Sequence, residues 1–186
     1  MQIRIDDVSV NTDMAKLRLM VEAIRKRWKM ATITLGVSPL VHDMSSAPGR
    51  LAERVFPKLN NAMSDFRVFY HVDKAGIPSL PDNCLIASHG LVHVDHRLLE
   101  PAAQEMSIWV SCSLLKARYF IPPFNKYNAH TERICGEHRI QLIKFEDGWQ
   151  HMLYNKITNT ASGYGEGKYY IHTHDVDIDQ FYKMLA

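Results

Sequence analysis

Residues Ile3–Val37, IRIDDVSVNTDMAKLRLMVEAIRKRWKMATITLGV, decide the fold. The stretch opens with Ile3-Arg4-Ile5, a short β-like run that stops at Asp6-Asp7, a residue type disfavoured inside strands and common at their ends. Leu17, Met20, Val21 and Ile24 then recur at helical spacing, with Asn11, Thr12 or Asp13 placed to cap the helix and Trp28 near its end. Ala31–Val37 returns to strand character. A strand, a helix and a second strand within about 35 residues form the βαβ pattern of a parallel sheet.

Outward from that unit the pattern recurs. Ser45–Gly49 reads as loop, Arg50–Met63 as a helix interrupted near Pro57, Phe66–Val72 as a strand and Gly76–Asn83 as a surface loop with two prolines. Cys84–Ser88 is a short apolar strand ending at His89-Gly90, and Pro101–Ala117 is helical with proline in its first turn. Tyr119–Ile121 is a strand ending at Pro122-Pro123, Asn128–Gly136 a short helix closed by glycine, and Arg139–Phe145 a strand. Ser162–Gly167 is a glycine-rich loop, Tyr169–Ile171 a strand ending at His172, and Asp177–Leu185 a last helix. No internal repeat, low-complexity tract or linker divides the chain, and 186 residues suit one core. One domain spanning 1–186 is expected.

Composition excludes several function classes. A formal charge of +2, with 22 Lys plus Arg spread along the chain, gives no electrostatic footprint for nucleic acid. The local cluster Arg25, Lys26, Arg27 and Lys29 closes the first helix, where cations suit the negative end of the dipole. Cys84, Cys112 and Cys135 are odd in number and lack C-x-x-C spacing, which argues against a disulfide framework and a zinc ribbon. No run approaches the roughly 18 apolar residues of a membrane span, and Met1 leads into a strand without a signal-peptide core, so a soluble, cytoplasmic protein is expected.

Ten histidines are the anomaly. Asp6-Asp7, His89, Pro122-Pro123 and His172 all stand just past the carboxyl ends of expected strands, the edge where parallel α/β sheets and barrels gather their ligand sites. His89 and His93 are four residues apart, a spacing that turns two imidazoles to one side of a compact turn. Two neutral histidines and a carboxylate, Asp7, form the donor set of a catalytic zinc with one position left open for water. His96 competes as a ligand and reads better as a supporting or surface residue. His172 and His174 share one face if the strand continues, so either can serve as an acid.

In these motifs the chain resembles the polysaccharide deacetylase superfamily, the NodB-homology domain, and its divergent deacetylase-like branch above all. Asp6-Asp7 resembles the paired aspartates of that family, which implies Asp6 as catalytic base and Asp7 as metal ligand. His89–His93 resembles its H-x-x-x-H motif, and Tyr119–Phe124 its strand ending in proline and an aromatic that line the substrate groove, which implies Pro123 and Phe124. An arginine that holds the catalytic aspartate is usual in that motif. Ile121 stands there instead, with Arg118 or another basic residue as the candidate replacement. Tyr170-Ile171-His172 resembles the strand that ends in the general acid, and Asp147 with Trp149 weakly suggests the remaining groove wall.

The resemblance implies a distorted (β/α) barrel of about seven parallel strands, one divalent ion of zinc type, and removal of an acyl group, N-acetyl first, from an amino sugar or glycan intermediate. His174 is the second histidine of the groove and the rival acid. A multi-metal phosphoesterase and an inactive carbohydrate-binding relative are the competing readings, separated by metal count and by deacetylation of N-acetylated sugars.

Overall fold

The computed structural model describes residues 1–42, 72–75, 78–152 and 167–185. Expectations for Ser45–Gly49, Arg50–Met63, Phe66–Val72, Gly76–Asn83 and Ser162–Gly167 lie wholly or partly outside these residues.

The opening stretch forms β1 (Gln2–Val8), α1 (Met14–Arg27) and β2 (Thr32–Val37). β1 and β2 pair in parallel, with Ile3 beside Ile33 and Ile5 beside Leu35. Alternation along β1 sorts its side chains onto two faces. Ile3 and Ile5 join Leu17, Met20, Val21 and Ile24 of α1 in the main hydrophobic cluster, each such side chain contributing roughly 1.5–3 kcal/mol on full burial. Gln2, Arg4 and Asp6 take the other face, toward the interior of the curled sheet. Asp13 is the cap of α1, accepting from the backbone N–H groups of Ala15 and Lys16.

β1 does not stop at the aspartates; it runs through them to Val8. A register shift between Ile5 and Val8 and the left-handed backbone of Asp7, at φ 62°, accommodate the extra residue. Aspartate is among the few residue types that tolerate this conformation readily.

β3 (Leu40–His42) and β4 (Val72–Ala75) make a separate antiparallel pair. The chain continues with β5 (Leu85–Ser88), α2 (Pro101–Leu115), β6 (Tyr119–Phe120), α3 (Ala129–Glu137), β7 (Gln141–Leu142), β8 (Trp149–His151), β9 (Lys168–His172) and α4 (Ile178–Leu185). Seven of these strands form one sheet in the order β7-β6-β5-β2-β1-β9-β8, and its described pairings are all parallel. Strands that follow one another in this set are neighbours in space, except that β7 and β8 stand at the two ends of the order. The result is a curled half-barrel, the distorted (β/α) barrel with seven parallel strands.

Further elements differ from expectation: α3 is not closed at Gly136, which lies inside it, and runs to Glu137 ahead of the left-handed Arg139, φ 56°. β7 is shorter than Arg139–Phe145 because Phe145–Asp147 closes into a 3-10 turn that ends at Gly148, φ 92°, and β8 is an additional strand directly after that glycine. Cys112 and Cys135 pack with Ile108, Phe120, Ile134 and Ile140, and burial pushes both thiols up to about 12. Among the described residues, no helix is long and apolar enough to cross a membrane.

Candidate metal centre

The carboxyl ends of β1 and β5 bring Asp7, His89 and His93 together, with ligand-type atoms within 4.8 Å of one another. His93 Nε2 is 3.0 Å and His89 Nε2 3.3 Å from Asp7 Oδ1. Gly90 makes the turn between the two histidines possible. Its φ is +82°, and a side-chain carbon there would meet the Val92 carbonyl oxygen at 2.7 Å and the His96 ring at 2.8 Å, so neither conformation nor space admits another residue.

Whether these atoms suit a cation is decided by where their protons go. His89 is 2% exposed, and its Nδ1 lies 2.8 Å from the Ile121 carbonyl oxygen. A carbonyl only accepts, so Nδ1 carries the proton and Nε2 turns a lone pair toward Asp7. Asp7 Oδ1 is buried and accepts no hydrogen bond despite the two nearby imidazoles. Converging lone pairs repel one another unless a cation lies between them, and separations of about 3–3.5 Å suit adjacent ligands bonded to zinc at about 2.0–2.2 Å. The residues fit a divalent ion.

His96 takes no part in this trio. It is fully buried, with Nδ1 3.0 Å from the Val94 carbonyl and Nε2 2.9 Å from Ser107 Oγ, and Ser107 Oγ in turn accepts from the Leu91 N–H at 3.0 Å. It braces the loop that carries His89 and His93.

Asp6 sits on the interior face, and Gly36 of β2 leaves it room, since a side-chain carbon at Gly36 would stand 3.0 Å from Asp6 Oδ1. Asp6 Oδ2 is 2.9 Å from Arg4 Nη2; Oδ1 is buried without a hydrogen-bond partner. Arg4 is 0% exposed, donates to Asn125 Oδ1 at 2.6 Å, and lies between the rings of Trp149 and Tyr170, 5.1 Å from each. It thus makes the ion pair with Asp6 that Ile121 cannot, and it comes from two residues before Asp6 on the same strand face. Arg118 does not pair with Asp6.

His172 is the register partner of Asp6 across β9 and β1. Its Nδ1 is 2.7 Å from Asp175 Oδ2, which also bonds His151 Nε2 at 3.3 Å. His174 stacks on His172 with ring centres 5.3 Å apart and places Nδ1 3.3 Å from Asp7 Oδ2. A hollow of about 440 Å³ opens above Asp7 and His93, lined also by Ser9, Ser38, Leu40, Phe124 and His174. Phe124 packs on His93 with ring centres 4.5 Å apart. Pro123 is buried at the base of this loop. Trp149 does not line the hollow; it is buried beneath Arg4 and faces the opposite, amino-end opening of the barrel together with Asp147.

No protein-family model matches the sequence, and no curated protein matches it. Solved structures do match. A family 4 carbohydrate esterase from Streptomyces lividans, in complex with acetate, aligns with a TM-score of 0.56 at 11% identity over 99% of this chain and 83% of that one. A family 4 pseudoenzyme from Bacillus anthracis aligns at 0.57 and 11% identity, over 99% of this chain and 59% of its own. A peptidoglycan deacetylase from Bacillus subtilis aligns at 0.51 and 12% identity, over 99% and 81%. Likeness at this identity establishes the fold.

Proposed function

We propose that this chain, which has the polysaccharide-deacetylase (NodB-homology) fold, is a metal-dependent hydrolase that removes an N-acetyl group from an amino sugar or glycan intermediate. The observation that carries the proposal is the convergence of the His89 and His93 Nε2 atoms on an Asp7 oxygen that accepts no hydrogen bond. Zinc held by Asp7, His89 and His93 would supply a water of lowered pKa and polarise the acyl oxygen.

The remaining steps belong to the chain's own residues. Arg4 holds Asp6 as a carboxylate by pairing with its Oδ2, and Asp6 is the base that takes a proton from the attacking water in this reading. The backbone N–H of Phe124 steadies the developing oxyanion in this reading, the role that the resemblance implies for its loop. His172 delivers the proton that the departing amine requires, and His174 is the rival for that role. Hydroxyls of Ser9 and Ser38 beside the apolar Leu40 and Phe124 give the hollow the mixed lining that a sugar ring needs.

Elemental analysis and an acetate-release assay on N-acetylglucosamine oligomers test this reading together. About one metal per chain is expected; His93→Ala should lose it, while Asp6→Asn should keep it and lose turnover. Unchanged stoichiometric metal in His93→Ala would sink the assignment, and loss of metal in Asp6→Asn would make Asp6 a ligand. Two or three metals per chain would favour a phosphoesterase. Metal with no turnover on any N-acetylated sugar would favour a non-catalytic sugar-binding protein, a state that the similarity to a pseudoenzyme makes worth testing.

A further inference from the structure

The turn after β6 carries Phe124, which lines the hollow and packs on His93 yet is 56% exposed. Apolar burial therefore does little to hold its ring in place. The backbone works against it: Phe124 and Asn125 both lie in the left-handed region, at φ 57° and 56°, a conformation that asparagine tolerates and an aromatic residue rarely adopts. Within the turn, the Asn125 N–H donates to the Pro122 carbonyl at 3.0 Å and the Lys126 N–H to that of Pro123 at 3.1 Å. These bonds set the shape of the turn but not its place against the barrel. Beyond it, Lys126 Nζ stands 3.9 Å from Asp95 Oδ2 and the Tyr127 hydroxyl donates to Glu146 at 3.2 Å, surface contacts of small worth in water. The contact that reaches inside is made by Asn125, whose Oδ1 accepts from Arg4 Nη2 at 2.6 Å. An arginine only donates, so the amide oxygen is the atom that faces it.

Resting on the reading of Asp6 as base beside a sugar-accepting hollow, we propose that Asn125 is a positioning residue that locks the Phe124 turn to the barrel and, through Arg4, to the base. Nη2 of Arg4 carries two hydrogens and stands within bonding distance of two acceptors, Asp6 Oδ2 at 2.9 Å and Asn125 Oδ1. Arg4 is a firm anchor, because it is fully buried and held between the rings of Trp149 and Tyr170. A charge-assisted bond from such a donor is among the stronger hydrogen bonds available to a neutral side chain. The ring that meets the substrate and the carboxylate that takes the proton thus share one nitrogen as their point of reference. At the root of the same turn, the Ile121 carbonyl lies 2.8 Å from His89 Nδ1. Ile121, Phe124 and Asn125 therefore tie one short segment to His89, to His93 and, by way of Arg4, to Asp6. Displacing that segment by about 1 Å would cost up to about 100-fold in rate.

The test uses the zinc-loaded protein and reads the turn in two ways, by the ring-current shift that Phe124 imposes on the His93 ring protons and by acetate release from an N-acetylglucosamine oligomer. Asn125→Gly permits the left-handed backbone but removes the acceptor, Asn125→Asp keeps both, and Phe124→Leu gives the His93 shift in the absence of the ring. Asn125→Gly should move the His93 signal most of the way to its Phe124→Leu position and lower kcat/KM by about 10- to 100-fold, with zinc content unchanged. Asn125→Asp should keep the wild-type signal and most of the turnover. An unmoved His93 signal in Asn125→Gly overturns the proposal whatever the turnover. A moved signal with wild-type turnover also overturns it, since the place of the turn would then not matter to the reaction. So does an Asn125→Asp variant that behaves like Asn125→Gly, because the lost acceptor would not be the cause. If the wild type releases no acetate from any N-acetylated sugar while the His93 signal follows the three variants as expected, the deacetylase reading fails and the lock on the turn stands without it.

Discussion

A fully buried arginine, Arg4, pairs with the candidate base Asp6. Removing a guanidinium from water costs several kcal/mol unless charge and hydrogen bonds replace the solvent. Here Asp6 supplies the charge, Asn125 a neutral acceptor, and Trp149 and Tyr170 two π faces. Each partner of the Arg4–Asp6 pair is therefore stranded if the other is removed. Arg4→Met should destabilise the protein by about 3–5 kcal/mol, and adding Asp6→Asn should restore a large part of that loss instead of deepening it. Urea unfolding of both single variants and the double variant measures the coupling, and strictly additive losses would contradict it. The sequence reading gives Arg4 no role, because the alternation of Ile3-Arg4-Ile5 separates two faces without revealing that the charged one lines a barrel interior. The Asp6-Asp7 pair was easier to read. It stands near the carboxyl end of β1, and the alternation of a strand already sends adjacent side chains apart.

Element by element, legibility follows length. The β1-α1-β2 unit is readable because α1 buries Leu17, Met20, Val21 and Ile24 at helical spacing between two β runs. β8 is three residues, Trp149-Gln150-His151, too few to show a period. The loop after β5 shows its metal-ligand spacing openly but hides its brace. His96 is buried and neutral: burial foremost lowers its pKa to about 4, against about 6.5 in an unfolded chain. Between those values the unfolded state binds the extra proton. The contribution is therefore complete above about pH 6.5 and is lost as pH falls toward 4, a difference on the order of 3 kcal/mol. His96→Gln should be less stable at neutral pH and should flatten this part of the curve. Unfolding free energies measured from about pH 7 down to pH 4 check it, and a variant that keeps the wild-type slope assigns the acid sensitivity elsewhere.

On the scale of the whole molecule, parallel strands aim their carboxyl ends at one rim, so a short chain can draw Asp7 from β1 and His89 and His93 from the loop after β5, with β2 lying between them in the sheet. That rim was legible from strand-end positions alone. The sheet order was not, because strand pairing depends on contacts between segments far apart in sequence. A cation at the rim would bind the folded chain and not the unfolded one, in which the three ligands are scattered over more than 80 positions. Linkage then requires it to stabilise the fold by RT ln(1 + [L]/Kd), about 2.7 kcal/mol when free zinc is 100 times its dissociation constant. For a chain of this size each kcal/mol moves Tm by about 2–4 °C, so zinc should raise the Tm of chelator-treated protein by roughly 5–10 °C. His93→Ala should show little of this gain, since one ligand of the three is missing, whereas Asp6→Asn should show most of it. Differential scanning calorimetry with and without zinc decides the matter. An equal rise in wild type and His93→Ala would mean that the ion stabilises the protein from some other place and that the three residues do not form its site.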